Sequence, residues 1–303
     1  MIEIQRNDIK IRDIEKLLVG NPIDAIFESL TKIWDTNTSK NYYYTKGEKL
    51  SSKFEQQIYK IFPEVYDVII HNSARNSKIK DILNKDRFCL IIMDGMSLRE
   101  TNLIINDLKR FGEVEYSYAY SAIPSETEFF TRKNFGALSP SHIKTNGKYV
   151  FFHMKRVNEI EDISTAADKL VIWSIYPDQM FEEFKVGFET KDLNRVGEET
   201  RNILLKILSR LTNHNEITIT SDHGYFVDTF SWKGLSDFPS GDRYSHKVPE
   251  YLKKYCKYAG EYWVLVGRYN TIKRGKYMHV RHGGLSFLET IVPFIKIKRS
   301  EGE

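Results

Sequence analysis

Ile217-Thr218-Ile219-Thr220-Ser221-Asp222-His223-Gly224 joins an alternating, β-rich run to an abrupt Asp-His-Gly. The run has the composition of a strand, and Gly224 permits a sharp turn after it. Neighbouring side chains on a straight strand point to opposite faces. Asp222 and His223 can therefore serve one ion only where the strand ends and the chain turns. Asp-His at a strand end is also an ordinary turn, so its meaning depends on what the other strand ends carry.

Working outward, Phe88 to Met93 is a short continuous apolar run, the pattern of a strand covered on both faces. Val114 to Tyr120, Tyr149 to His153, Leu170 to Trp173 and Tyr262 to Gly267 read as further strands. Residues 98–111 and 181–213 have helical spacing, the latter with Leu204, Leu205, Ile207, Leu208 and Leu211 on one face. Leu285 to Ile295 reads as a helix entering a last strand. Strands alternating with helices predict an α/β fold with a mainly parallel central sheet and helices on both faces. Residues 1–85 are polar and helical in pattern, with apolar positions at Ile9, Ile11, Ile14, Leu17 and Leu18 and again over 24–34 and 49–61. They form a helical N-terminal region of unknown role, and residues 86–303 form the main domain.

In such a sheet, sites gather at the carboxyl ends of the strands. Asp94-Gly95 follows the first strand, and Thr127 follows Pro124-Ser125-Glu126 after the second. Asp178 and Glu182 follow Pro177, four residues apart, on one face of any helix that starts there. Asp222 and His223 end the strand quoted first, and His282 precedes Gly283-Gly284. Each alone also reads as a cap, an acidic first turn or a structural histidine. Together they are four carboxylates, two imidazoles and a hydroxyl. So many acids at one edge repel each other unless cations compensate. Two divalent metal ions, roughly 3.5–4 Å apart, are a general device for in-line attack on phosphorus. Mixed oxygen and imidazole donors suit Zn, with Mn or Mg as the harder alternatives. A threonine hydroxyl attacks at neutral pH only when a metal or base activates it, so a nucleophilic Thr127 requires cations close by.

These motifs, in this order, resemble the PglZ-domain family of the alkaline-phosphatase superfamily. The likeness rests on Asp94-Gly95, Pro124-Ser125-Glu126-Thr127 with Gly136 and Pro140, Asp178, and Ser221-Asp222-His223-Gly224. It rests further on Arg281-His282-Gly283-Gly284-Leu285-Ser286, with Glu289 and Ile291-Val292-Pro293-Phe294 behind it. It spans about residues 87–297. It implies an alkaline-phosphatase-like sandwich in which Asp94, Thr127, Asp222 and His223 hold one metal and Asp178 and His282 the other. It also implies Thr127 as nucleophile, with Ser125 the lesser candidate. Members are similar to phosphodiesterases and nucleases; some act in phage-defence systems and others are fused to receiver domains. One departure stands out. The superfamily's Asp-x-x-x-His is here Asp178-Gln179-Met180-Phe181-Glu182, so Glu182 would replace an imidazole or mark a weakened site.

The expected reaction is hydrolysis of nucleotide or oligonucleotide phosphodiesters, with Arg132, Arg243, His246 and Arg281 as candidate substrate-binding residues. Aromatic and basic residues interleave over 232–258, and Lys273-Arg274-Gly275-Lys276 adds charge, a mixture suited to single strands. The alternatives are a non-catalytic adaptor with protein partners in a defence complex, and a phosphomonoesterase. The net charge of +4 permits a phosphate-bearing partner. No apolar run approaches the roughly 18–20 residues that span a bilayer. The N-terminus lacks the layout of a signal peptide. Two cysteines without a CxxC fit a reduced, cytoplasmic protein.

Overall fold

A computed structural model describes residues 4–5, 8–9, 20–35, 40–184, 187–272 and 278–299. Its centre is a six-stranded sheet: β1 (Phe88–Met93), β2 (Glu113–Tyr120), β3 (Val150–Met154), β4 (Lys169–Ser174), β5 (Glu216–Thr220) and β6 (Ile291–Lys298). The spatial order is β2-β6-β5-β1-β4-β3. β1 pairs in parallel with β4 and β5, and β4 with β3. β6 is antiparallel to both of its neighbours. The sheet is therefore mainly parallel, with one reversed strand inserted near an edge.

That reversal positions the site. The parallel strands end at the edge where β6 begins. Residues just after β1, β4 and β5 thus meet residues just before β6, although the segments are distant in sequence.

Alternation along β1 explains the layers. Cys89, Ile91 and Met93 face one apolar core with Ile104, Leu108, Ile203 and Leu204 from helices of the chain. Phe88, Leu90 and Ile92 face the other, with Ile79, Ile82 and Phe130. The helices are α1 (Pro22–Ile33), α2 (Lys40–Ile61), α3 (Val65–Arg75), α4 (Lys78–Leu83), α5 (Leu98–Leu108), α6 (Thr127–Phe135), α7 (Asp178–Glu183), α8 (Thr190–Arg210), α9 (Glu250–Lys253) and α10 (Phe287–Thr290). The expected helix over 181–213 is two helices, with residues 184–189 between them.

The N-terminal helices share a core with the rest of the chain. Leu30, Trp34 and Phe54 of α1, its end and α2 pack in one cluster with Val264, Leu285 and Phe287. Asn21 caps α1 through Ile23 N–H (3.1 Å), with Pro22 at its first position. Ile9, read as the start of a helical face, lies in a two-residue strand paired with Ile4–Gln5. Ile11, Ile14, Leu17 and Leu18 lie outside the described residues, as does Lys273-Arg274-Gly275-Lys276. The strand Tyr262–Leu265 belongs to a separate antiparallel sheet with Tyr244–Ser245 and Cys256–Ala259. Its hydrogen-bond partners lie in the adjoining loop region, so it joins that sheet instead of the central one.

Candidate metal centre and nucleophile

Asp94 leaves β1 with its amide bonded to Ser174 O (2.9 Å) and its carbonyl accepting Asp178 N–H (3.1 Å). This pair of bonds clamps the ends of β1 and β4 together. Trp173 Nε1 donates to Asp94 Oδ2 at 3.1 Å. Asp94 Oδ1 is buried, has no hydrogen-bond partner, and stands 3.7 Å from His223 Nε2. Burial first, and then the charges of Asp222 and Asp178, hold the Asp94 carboxyl well above the usual carboxylate range.

Asp222 is fully buried past the end of β5 and accepts the Gly95 amide at 3.1 Å. Its other oxygen accepts the Thr127 hydroxyl at 2.6 Å. Thr127 Oγ1 lies 3.3 Å from His223 Nε2. His223 Nδ1 is 3.0 Å from the Gly224 carbonyl. A carbonyl only accepts, so Nδ1 carries a proton, and Nε2 faces Thr127, Asp94 and Asp222.

The His282 ring stacks on His223, centroids 4.4 Å apart. Its Nδ1 lies 3.1 Å from Glu126 Oε2, but the two are not aligned for a hydrogen bond. Burial works against the charge on His282, yet Glu126 and then Asp178 raise its pKa to about 10. Glu126 is in turn lowered: burial opposes its charge, and His282 outweighs it.

Donor atoms of Asp94, Asp222 and His223 lie within 4.8 Å of one another, as do those of Asp178, His223 and His282. The set fits divalent cations on two grounds. The donors are carboxylates and imidazoles, and two of their buried atoms, Asp94 Oδ1 and His282 Nδ1, have no hydrogen-bond partner among the described residues. Six residues read from the sequence therefore converge: Asp94, Thr127, Asp178, Asp222, His223 and His282. Glu182 does not join them. It is exposed and belongs to neither group, because the short α7 turns it towards solvent.

The four candidate substrate-binding residues are dispersed. Arg132 is exposed and pairs with Glu128 one turn earlier on α6 (2.5 Å). Arg243 is buried; it donates to the carbonyls of Tyr269 and Gly267 and to Glu289, so its guanidinium is fully engaged inside the fold. His246 is exposed, bonds Glu261 O (3.1 Å) and lies over Tyr262 (4.2 Å). Arg281 pairs loosely with buried Asp228 (3.7 Å). Ser125 is buried, and its hydroxyl donates to Gly284 O at 2.9 Å, a tie within the scaffold.

Sequence reading missed the supports. Glu289 accepts the amides of Gly284 and Ser286, 3.0 Å each, as well as Arg243, and so shapes the turn after His282. Ser286-x-x-Glu289 and Ser97-x-x-Glu100 are both capping boxes, a signal legible in sequence. A buried ionic network had no such signal. Glu48 of α2 pairs with Arg99 (2.5 Å) and Arg268 (2.6 Å), and Glu55 accepts the Phe287 amide (2.6 Å). Tyr225 donates to Glu100 at 2.6 Å. The N-terminal helix thus reaches the segments that follow Asp94 and His282. Phe129 of α6, Tyr244, Tyr262 and His246 form an aromatic wall with centroid spacings of 4.2–5.5 Å, and Tyr244 borders Gly283.

The chain is similar to murine ectonucleotide pyrophosphatase/phosphodiesterase 5, at 11% identity over 70% of this chain and 88% of that one, TM-score 0.44. An inactive form of that protein in complex with AMP gives 10% identity, the same coverage and a TM-score of 0.40. The C-terminal periplasmic domain of EptC from Escherichia coli gives 12% identity over 72% of this chain and 74% of that one, TM-score 0.36. No protein-family model and no curated protein sequence matches the chain. No described helix is long and apolar enough to cross a membrane.

Proposed function

We propose that this chain is a metal-dependent phosphodiesterase of the PglZ type within the alkaline-phosphatase superfamily, acting on nucleotide or oligonucleotide phosphodiesters with Thr127 as nucleophile. The observation that carries the reading is the Thr127 hydroxyl, 2.6 Å from Asp222 Oδ2 and 3.3 Å from His223 Nε2. A hydroxyl that donates to a buried carboxylate and lies next to an imidazole nitrogen, at the start of a helix, supports a role in attack over a role in capping.

When bound, two divalent cations, Zn foremost and Mn or Mg as alternatives, supply the positive charge that acidifies the hydroxyl and offsets the phosphate. Asp94, Asp222 and His223 would hold one beside Thr127; Asp178 and His282 would hold the other. Asp222 takes the hydroxyl proton as Thr127 Oγ1 forms its bond to phosphorus. The bond from phosphorus to the leaving oxygen breaks on the opposite side, the leaving oxygen takes a proton from solvent, and the phosphate with its remaining ester substituent rests on Thr127. Water then attacks phosphorus and gives its proton back to solvent, the Thr127 ester opens, and the hydroxyl recovers its proton from Asp222. The half-buried rings of Phe129, Tyr244 and Tyr262, on and around the helix that Thr127 begins, would offer faces on which a nucleobase stacks.

The test compares the wild type with Thr127→Ala on bis-p-nitrophenyl phosphate, with metal content measured on both. Hydrolysis that falls at least ~10³-fold while bound metal persists supports the reading. A wild-type protein that binds no metal and hydrolyses neither mono- nor diester refutes it and favours the adaptor.

A further inference from the structure

Two hydroxyls stand in Pro124-Ser125-Glu126-Thr127, and they are held differently. Thr127 donates to the Asp222 carboxylate, which can take a proton. Ser125 is fully buried, and its Oγ donates to the Gly284 carbonyl at 2.9 Å. A carbonyl is no base, so this bond does not activate Ser125 for attack. Glu289 Oε1 is the more distant acceptor, at 3.5 Å. The Ser125 carbonyl in turn accepts the Gly283 amide at 3.0 Å. Ser125 therefore fastens one backbone segment to another.

The turn on the far side of these bonds is held from several directions. Glu289 accepts the amides of Gly284 and Ser286, 3.0 Å each. The Arg243 guanidinium, bonded to Glu289, fills the place that a Cβ on Gly284 would need. Both polar backbone groups of Gly284 are thus engaged, its N–H by Glu289 and its carbonyl by Ser125. Glu126 meets the same turn: its Oε2 forms an ion pair with His282 Nδ1 at 3.1 Å, and its Oε1 lies where a Cβ on Gly283 would stand. Residues 125 and 126 therefore lie against residues 282–284, and the next residue is Thr127.

We propose that Ser125 is a positioning residue for the reaction: its hydroxyl fixes the start of α6, and so the Thr127 hydroxyl, against the turn that carries His282. This rests on the hydrolase reading above and adds a residue that touches neither substrate nor cation. Ser125→Ala removes one oxygen and leaves the Gly284 carbonyl buried without its donor. The bond from the Gly283 amide to the Ser125 carbonyl survives, so the two segments stay adjacent but lose their fixed spacing. A displacement of about 1 Å between reacting groups can cost about 10²-fold in rate. The loss falls on kcat, because the substitution removes no group that binds substrate.

The experiment compares the wild type, Ser125→Ala and Ser117→Ala. It measures kcat and KM on bis-p-nitrophenyl phosphate in saturating zinc, zinc affinity by calorimetry, and Tm by circular dichroism. Ser117 is the control, since its Oγ donates to the Phe294 carbonyl at 3.1 Å, the same kind of bond placed between β2 and β6. Ser125→Ala should lower kcat by ~10–100-fold with KM within ~3-fold of the wild type. It should also weaken the more weakly bound zinc by at least ~10-fold, because His282 loses its fixed place. Ser117→Ala should lower Tm alone. Should Ser125→Ala fail to fold, Ser125→Cys takes its place, with a weaker donor at the same position and a smaller loss of kcat in the same direction. A folded Ser125 variant with wild-type kcat and zinc affinity and only a lower Tm overturns this inference and leaves the hydrolase reading standing. Equal losses of kcat from the Ser125 and Ser117 variants, or a change in KM alone, also overturn it. A wild type that neither binds zinc nor hydrolyses the ester overturns both.

Discussion

Replacing Glu55 by glutamine should change how stability depends on pH. Glu55 is 1% exposed on α2. It accepts the Phe287 amide (2.6 Å) and Arg268 Nε (3.4 Å), and the Tyr66 hydroxyl lies 3.3 Å away. Burial raises its carboxyl from 4.5 to about 7, against the pull of Arg268. Between those two pH values the folded protein keeps a proton that the unfolded chain has lost. Stability therefore falls as pH rises through this window; the contribution is fully present below pH 4.5 and gone above pH 7. The difference between the two pKa values corresponds to about 3 kcal/mol. A glutamine side chain does not titrate, and its amide oxygen can still accept from Phe287. Urea unfolding of both proteins, followed by tryptophan fluorescence at pH 5, 6, 7 and 8, gives the comparison. The wild type should lose about 3 kcal/mol relative to Glu55→Gln across the window. A difference that stays flat within ~0.7 kcal/mol, or that grows in favour of the wild type with rising pH, refutes the account of a buried, proton-holding Glu55.

Three further outcomes test other parts of the fold. Gly224→Ala should destabilise by about 1–3 kcal/mol in a thermal melt, because a Cβ there meets the backbone carbonyl of Leu288, which cannot swing aside. Lys133 donates to the Ser73 carbonyl, and burial, with Lys80 second, pulls its pKa from 10.5 down to about 8. The unfolded chain then binds the extra proton between those values, so the Tm of the wild type relative to Lys133→Met should rise from pH 8 to pH 10. Arg243→Met should destabilise by about 3–5 kcal/mol in urea, since it leaves buried Glu289 without its cation. If Arg243 served substrate alone, stability would be unchanged and only KM would move.

The location of Arg243 shows where local reading stops. In sequence it is one cation among several in a polar, aromatic segment. In the fold it is sealed against Glu289 and two backbone carbonyls, and sequence patterning carries no term for a partner 46 residues away. Glu182 fails for a related reason. Its spacing from Asp178 is right for one helical face, but α7 is a single short helix: Asp178 at its start is bonded to Asp94, while Glu182, one turn on, is exposed. Glu126 is one residue of the Pro124-Ser125-Glu126-Thr127 motif, and nothing local shows that its side chain leaves the helix it precedes to pair with His282.

The sequence by itself determined the strands, their order along the chain, and the acids and histidines at their ends. Apolar runs and turn residues are local properties, and a strand's end is where its run stops. Only the tertiary structure decided which ends lie together. The antiparallel insertion of β6 brings the His282 segment to the edge where β1, β4 and β5 terminate, a pairing made by backbone hydrogen bonds between segments far apart in the chain. The same long-range contacts decided which charges face one another in the dry interior, from Glu48 with Arg99 and Arg268 to Glu126 with His282. Burial makes those pairings energetically decisive, and burial is a property of the assembled chain.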